Sequence, residues 1–254
     1  MKVLLIGATG NLGIRLIPAL LTYGHDVVAF VRSPKKLASL LPKDIYQRII
    51  VVEGSATNSA SICNVILNAQ CDAVVNTAGL AALPPWGHSD LPQIFKSVLD
   101  GVRKASEERK QPLRVWFLAG QGILHFPGTE TMLSSYIPIY REHRQNFRLL
   151  QALPVNTLSW SVLCPNTMAP ESTDFTVPAK APTTKLTASA TTPPLWYDSW
   201  LRYIPLIGKP IVCAINAPRY ATTLEQAADF IASDLEQKES QWVGKPVGVI
   251  AAKK

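Results

Sequence analysis

The first thirteen residues, MKVLLIGATGNLG, constrain this chain more than any other stretch. Residues 3–6 form a short apolar run, long enough for a buried strand. Gly7, Gly10 and Gly13 follow at three-residue spacing, and residues 14–21 read as a helix. In a nucleotide-binding turn each glycine has its own task. Gly7 permits the sharp turn out of the strand, Gly10 lets backbone approach a pyrophosphate, and Gly13 lets the helix pack closely on the strand. The free N–H groups at the helix start, with the helix dipole, then favour phosphate. Thr9, Asn11 and Leu12 lie between these glycines and are expected to flank the ligand. A glycine-rich strand-to-helix turn with no ligand has the same spacing, so the order of the following elements must decide.

That order is an alternation of strands and helices. Residues 26–31, 48–52, 72–76, 113–118 and 157–163 read as strands, and 246–251 as a last one. Helices are predicted over 59–68, 91–110, 140–153 and 224–236, and Ser33-Pro34 can start another, with proline in its first turn. Such alternation argues for βαβ units and a parallel sheet. The expected fold is α/β: a Rossmann-like doubly wound parallel sheet with helices on both faces. We read residues 1–254 as one domain, with the cofactor half at 1–155. A small C-terminal substrate-binding elaboration is expected at 165–220. Within it, residues 168–194 are rich in Pro, Thr, Ala and Ser, and 195–207 (LWYDSWLRYIPLI) are aromatic and amphipathic.

Composition narrows the function classes. With 254 residues, 47% hydrophobic and 17% charged, the chain can bury a substantial core and is not of the disordered type. No apolar run approaches the roughly 18 residues of a membrane span. Residues 1–6 are too short for a signal-peptide core and run directly into the glycine turn. Cys63, Cys71, Cys164 and Cys213 show no CxxC spacing, so reduced thiols and a cytoplasmic location are expected. The net charge of +7 comes from dispersed basic residues without a Lys/Arg block. It reads as solvation and attraction for an anionic cofactor, not as a nucleic-acid footprint. No His, Cys, Asp and Glu cluster has metal-ligand spacing, so no metal is expected, and no GxSxG elbow is present. The expected partner is a small-molecule substrate, with no membrane partner; the sequence leaves the oligomeric state open.

In an open parallel sheet, ligands bind outside the carboxyl ends of the strands. Those ends are small here: Gly54 to Ala56, Thr77-Ala78-Gly79, Ala119-Gly120-Gln121-Gly122 and Cys164-Pro165-Asn166. A dinucleotide lying across the sheet edge would require this. Ala56, Thr77, Ala78, Gly79, Gly120, Pro165 and Asn166 therefore join the candidate cofactor set. At the end of the second strand, an NAD site usually carries Asp or Glu to bind the ribose hydroxyls, whereas an Arg accommodates a 2′-phosphate. Here the position is Arg32, with Lys35 and Lys36 following. A guanidinium accepts phosphate in a bidentate fork, so NADP(H) is expected over NAD(H), with Arg32 and Lys36 on the phosphate.

The GATGNLG turn, the VRSP after the second strand, the small-residue strand ends and the SWSVLCPNTM stretch resemble the atypical short-chain dehydrogenase/reductase superfamily. Within it, the chain resembles the NAD(P)H-binding, NmrA-like proteins, over residues 1–168 and weakly over 219–251. The WFLAGQGILHFPGT stretch, His143-Arg144 and WSVLCP also resemble fungal proteins of the averufin oxidase type, which tailor aromatic polyketides. The resemblance implies a Tyr acting as general acid/base, a Lys four residues on, and a Ser at the end of the fifth strand.

This chain departs from that pattern. Ala119-Gly120-Gln121 stands where the Ser is expected, and Tyr136, Tyr140, His143 and Arg144 are the candidates before the sixth strand. Tyr140 and Arg144 have the implied spacing, with Arg for Lys; another register puts His143 in the Lys position. Arg cannot donate a proton near neutral pH, whereas an unperturbed His can. Tyr140 and His143 either do acid/base work at the nicotinamide, or they pack as an ordinary tyrosine and helix histidine. His88 and His125 lie in loops near the expected site, and His25 precedes the second strand. Gln121 or Asn166 could orient a carboxamide or substrate oxygen; otherwise they cap helices. Trp86, Phe126, Trp196, Tyr197, Trp200 and Tyr203 could form an aromatic wall for a flat apolar substrate, or pack on the core. Three functions stay open: an NADPH-dependent oxidoreductase acting on an apolar, aromatic carbonyl or enone compound, an NADP(H)-binding regulator without turnover, and a non-redox isomerase, lyase or cyclase.

Overall fold

The computed structural model describes residues 1–79, 89–138 and 140–252. Six strands follow the predicted order: β1 (Lys2–Ile6), β2 (Asp26–Val31), β3 (Ile50–Glu53), β4 (Ala73–Asn76), β5 (Arg114–Leu118) and β6 (Ser159–Cys164). Four short or late strands complete the set: β7 (Met168–Ala169), β8 (Leu186–Ala190), β9 (Thr222–Thr223) and β10 (Lys245–Ala251). The helices are α1 (Asn11–Thr22), α2 (Pro34–Leu40), α3 (Lys43–Tyr46), α4 (Ser59–Asn68), α5 (Leu91–Arg109), α6 (Arg141–Gln151), α7 (Gly208–Asn216) and α8 (Leu224–Glu236).

The main sheet runs β3-β2-β1-β4-β5-β6-β10-β8. Every pair is parallel except β10 with the edge strand β8, which are antiparallel. The chain builds outward from β1 in one direction through β2 and β3. It then returns to the other side of β1 and builds through β4, β5 and β6. The carboxyl ends of β1 and β4 therefore diverge at the topological switch point, where this architecture opens a crevice.

Both sheet faces are covered, which explains why the strands read as continuous apolar runs. In β1, Leu4 and Ile6 enter the core shared with α4 and α5, while Val3 and Leu5 enter the core shared with α1 and α8. Local chemistry sets several helix starts. Ser33 Oγ accepts the Lys36 N–H at 3.2 Å and Pro34 opens α2, as the Ser-Pro pair predicts. Thr223 and Gln226 form a reciprocal capping box on α8.

The C-terminal elaboration differs from the expectation in detail. Residues 168–194, which carry few sequence signals, contain the half-buried edge strand β8. Its alternation of small and hydroxylated residues hides it. Residues 195–207 contain a short 3-10 turn at Trp200–Tyr203, and Leu195 and Leu206 near their ends take positive φ (49° and 65°). The true helix of this region is α7, one segment later. The elaboration also divides between the two faces. Phe175 and Val177 pack on the α1–α8 side, whereas Trp196, Leu201 and Val212 pack on the α4–α5–α6 side.

Candidate functional site

The glycine turn sits at the switch point. Gly7 has φ +90°, and a Cβ there would lie 2.6 Å from the Ala78 nitrogen, so the β1 turn and the β4 end press backbone on backbone. At Gly13 a Cβ would fall 2.1 Å from the Gly7 carbonyl oxygen, which is how closely α1 docks. The Gly10 N–H donates to the Gly7 carbonyl at 2.9 Å. Gly10 caps α1 without a side chain, and no acid stands in the first turn. The N–H groups of Asn11, Leu12 and Gly13 therefore open the helix with no side-chain acceptor. Leu12 itself is buried, so only its backbone can serve a ligand. Asn11 is exposed and Thr9 half-buried at the same mouth.

The neighbouring strand ends complete one edge. The Thr77 hydroxyl donates to the Ile6 carbonyl at 3.2 Å, and the Ala78 N–H donates to Asn76 Oδ1 at 3.1 Å. Gly79 has φ +104°, and a Cβ there would strike Leu91. On the β2–β3 side, Ala56 packs half-buried against the core. Arg32 and Lys36 are exposed, and neither side chain has a hydrogen-bond or ion-pair partner among the described residues. On the β5–β6 side, the Gln121 N–H donates to the Pro165 carbonyl at 2.9 Å. The Asn166 amide is spent on the Ala217 carbonyl (2.7 Å), tying the β6 end to the segment after α7. The cradle residues thus converge at one edge, with a Cβ-free approach and unsatisfied N–H groups that fit a dinucleotide pyrophosphate.

The candidates before β6 separate. Tyr140 stands outside α6, at φ 52° and ψ 53°, and its ring lies 6.3 Å from that of His143, edge-on. His143 turns toward the sheet: its Cδ2 and Nε2 would sit 3.3 and 3.6 Å from a Cβ on Gly120, at the β5 end. Arg144 instead lines a surface cleft with Arg141 and Arg148. Tyr140 thus precedes the helix that carries Arg144, and of the two only Arg144 lines that cleft. The imidazole of His143 is held down to a pKa of about 4, chiefly by desolvation, with Glu142 opposing weakly. This corrects the expectation that an ordinary histidine pKa would make it a proton donor at neutral pH. Its Nδ1, Glu142 Oε2 and Asn146 Nδ2 are buried atoms without a partner among the described residues. Glu142 and Asn146 were not legible as site groups; their i, i+4 spacing on α6, beside His143, is the signal that could have found them.

The other histidines lie elsewhere. His25 is buried at the amino edge of the sheet, with Nε2 3.1 Å from the Ala232 carbonyl. His125 faces Glu130, with Nδ1 at 3.5 Å. His88 and Trp86 lie outside the described residues. Of the remaining aromatic wall, Phe126 and Trp196 pack edge to face at 5.5 Å within the core beside the β5 end, and Tyr136 joins them. Trp200 and Tyr203 are 73% and 80% exposed, and Tyr197 is exposed too. The four cysteines are free and buried. Among the described residues, no group of three His, Cys, Asp or Glu could hold a metal ion, and no helix is long and apolar enough to cross a membrane. A cleft of about 680 Å³ opens at the opposite, amino edge beside Met1, Arg114 and Ser159, far from the glycine turn.

A family described as NAD(P)H-binding matches residues 7–191. The chain belongs to this NAD(P)H-binding family. The match begins at Gly7 and runs through β8, so it takes in the cradle and most of the sheet. Solved structures share the fold at low identity. A putative NADH-flavin reductase from Streptococcus pneumoniae superposes with a TM-score of 0.62 at 15% identity, covering 99% of this chain and 100% of that one. A short-chain dehydrogenase/reductase from Veillonella parvula, in complex with NADP, gives 0.59 at 16% identity over 98% and 93%. An anaerobillin reductase from Escherichia coli O157:H7 gives 0.62 at 15% identity over 100% and 98%. No curated protein matches this chain.

Proposed function

We propose that this member of the NAD(P)H-binding family is an NADPH-dependent oxidoreductase acting on a flat, apolar carbonyl or enone compound, one suited to secondary metabolism. The observation that carries the reading is the placement of His143 against Gly120, at the strand end next to the cofactor edge. The bound cofactor supplies the hydride. The protein's task is to polarise the substrate oxygen, and a neutral imidazole can do so by donating a hydrogen bond without becoming an imidazolium. Nε2 of His143 takes that role here, and the Tyr140 hydroxyl, one ring away, supplies the proton to the reduced oxygen. Arg32 and Lys36, unpaired and exposed beyond β2, provide the 2′-phosphate contacts. Arg144 serves neither task, since it lines the cleft on another face of α6.

Support for a conjugated substrate comes from two sides. The resemblance to averufin-oxidase-type proteins points to aromatic polyketides, and two fold neighbours are described as flavin and anaerobillin reductases. Mixing enzyme, NADPH and a panel of quinones, enones and anthraquinone-like ketones tests the reading. NADPH oxidation matched by reduced product is expected, at least tenfold slower in His143→Ala with NADPH affinity retained. Tight NADPH binding with no turnover across the panel would instead favour the regulator, whose specific support is the missing Ser at the β5 end. Product formed at constant NADPH would favour a non-redox reaction. We place the protein in the cytoplasm, acting on a small molecule.

A further inference from the structure

The outer face of α6 carries an anion site separate from the cofactor edge. A cleft of about 360 Å³ is lined by Ser134, Ser135, Pro138, Arg141, Arg144, Gln145 and Arg148. At roughly 100° per residue, Arg141, Arg144, Gln145 and Arg148 share one stripe of α6, about 100° wide. His143, Asn146 and Phe147 fall outside that stripe, on the sheet-facing side. Three arginines therefore line one cleft, with no carboxylate among its lining residues. None of the three has a hydrogen-bond or ion-pair partner among the described residues.

Two polar atoms of the lining residues are buried and unpaired. Ser134 is only 5% exposed, yet its Oγ has no partner among the described residues. Arg144 Nε is likewise buried and unpaired. Arg141 is also the first residue of α6, whose start has no side-chain cap and carries Glu142 in its first turn. Apart from the serine hydroxyls and Gln145, every polar group here only donates. The matching ligand is an acceptor-only dianion, and guanidiniums fork onto phosphoryl oxygens.

We infer that this cleft binds a small phosphorylated molecule, recognised by its phosphate monoester group, independently of NADPH. The full chain is titrated calorimetrically with inorganic phosphate, phenyl phosphate and malonate at fixed ionic strength, alone and with saturating NADPH. Saturable binding of the phosphates is expected, unaffected by NADPH, and at least tenfold weaker in Arg141→Gln/Arg148→Gln. NADPH affinity should stay the same in that variant, which also shows that it is folded. Phosphate heats no larger than those of chloride would overturn the inference. So would competition by NADPH, which would assign the arginines to the cofactor. Tighter binding of malonate would overturn the phosphate class. Tighter binding of a DNA duplex, lost in the same variant, would make the site a nucleic-acid contact.

Discussion

At pH 7 the His143 imidazole is uncharged, because burial lowers its pKa from 6.5 to about 4. The unfolded chain binds that proton near pH 6.5, so between the two values the unfolded state holds more protons and stability rises with pH. Above about pH 6.5 His143 costs nothing by this route; as pH falls toward 4 the folded state is penalised by up to about 3 kcal/mol. Urea midpoints from pH 4 to 7 should therefore climb more steeply in wild type than in His143→Gln. His25 is shifted the same way by burial, but it is present in both proteins and drops out of the comparison. Arg32 makes a second prediction at this scale. It is exposed and unpartnered, so Arg32→Ala should leave stability unchanged within about 0.5 kcal/mol. It should weaken NADPH binding about tenfold or more, as loss of a charged hydrogen bond does, and leave NADH binding alone. Equal wild-type affinity for the two cofactors would remove the basis for the 2′-phosphate assignment.

The cradle works as an element, not as a set of side chains. Leu12 turns its side chain into the core, so only its backbone can face a ligand. What the glycines provide is distance. A methyl at Gly13 would meet the Gly7 carbonyl oxygen at 2.1 Å, and no rotamer moves a Cβ. Gly13→Ala should push α1 off the β1 turn, cost about 1–3 kcal/mol as overpacking does, and raise the NADPH Kd. Urea unfolding and a cofactor titration on the same variant check both. At α6 the element decides more than the spacing does. Because Tyr140 lies in left-handed backbone before the helix, its ring meets His143, while Arg144 joins Arg141 and Arg148 on another stripe.

Across the whole molecule, a buried polar network ties the sheet together at the amino edge, opposite the glycine turn. Asp234 of α8 is 7% exposed and accepts from Arg114 at 2.6 Å, Trp116 Nε1 at 2.9 Å and Ser240 at 2.6 Å. It joins β5, α8 and the turn before β10. Burial lowers the Arg114 pKa, yet its partner keeps the charge compensated. Asp234→Asn would leave that guanidinium buried beside a neutral amide. Removing one partner of a buried pair costs about 3–5 kcal/mol, which thermal or urea unfolding would register as a large drop. NADPH affinity of the folded fraction should not change, because the network lies at the far edge. A parallel loss of affinity would mean that the two edges are coupled.

The residues by themselves determined the alternation, the parallel sheet and the position of the glycine turn. Glycines at 7, 10 and 13, apolar runs buried on both faces, and the Ser33-Pro34 and Thr223 starts are local rules, each satisfied within a few residues. Only the tertiary structure decided the rest. The antiparallel β8 is held by β10, some sixty residues later, and its small, half-buried residues give no periodic signal. The charge state of His143 follows from what is packed around it, not from its neighbours in sequence. The division of Tyr140, His143 and Arg144 among different surroundings comes from one left-handed residue and from where the helix then begins. Spacing sets which side chains share a face; packing alone sets what that face meets.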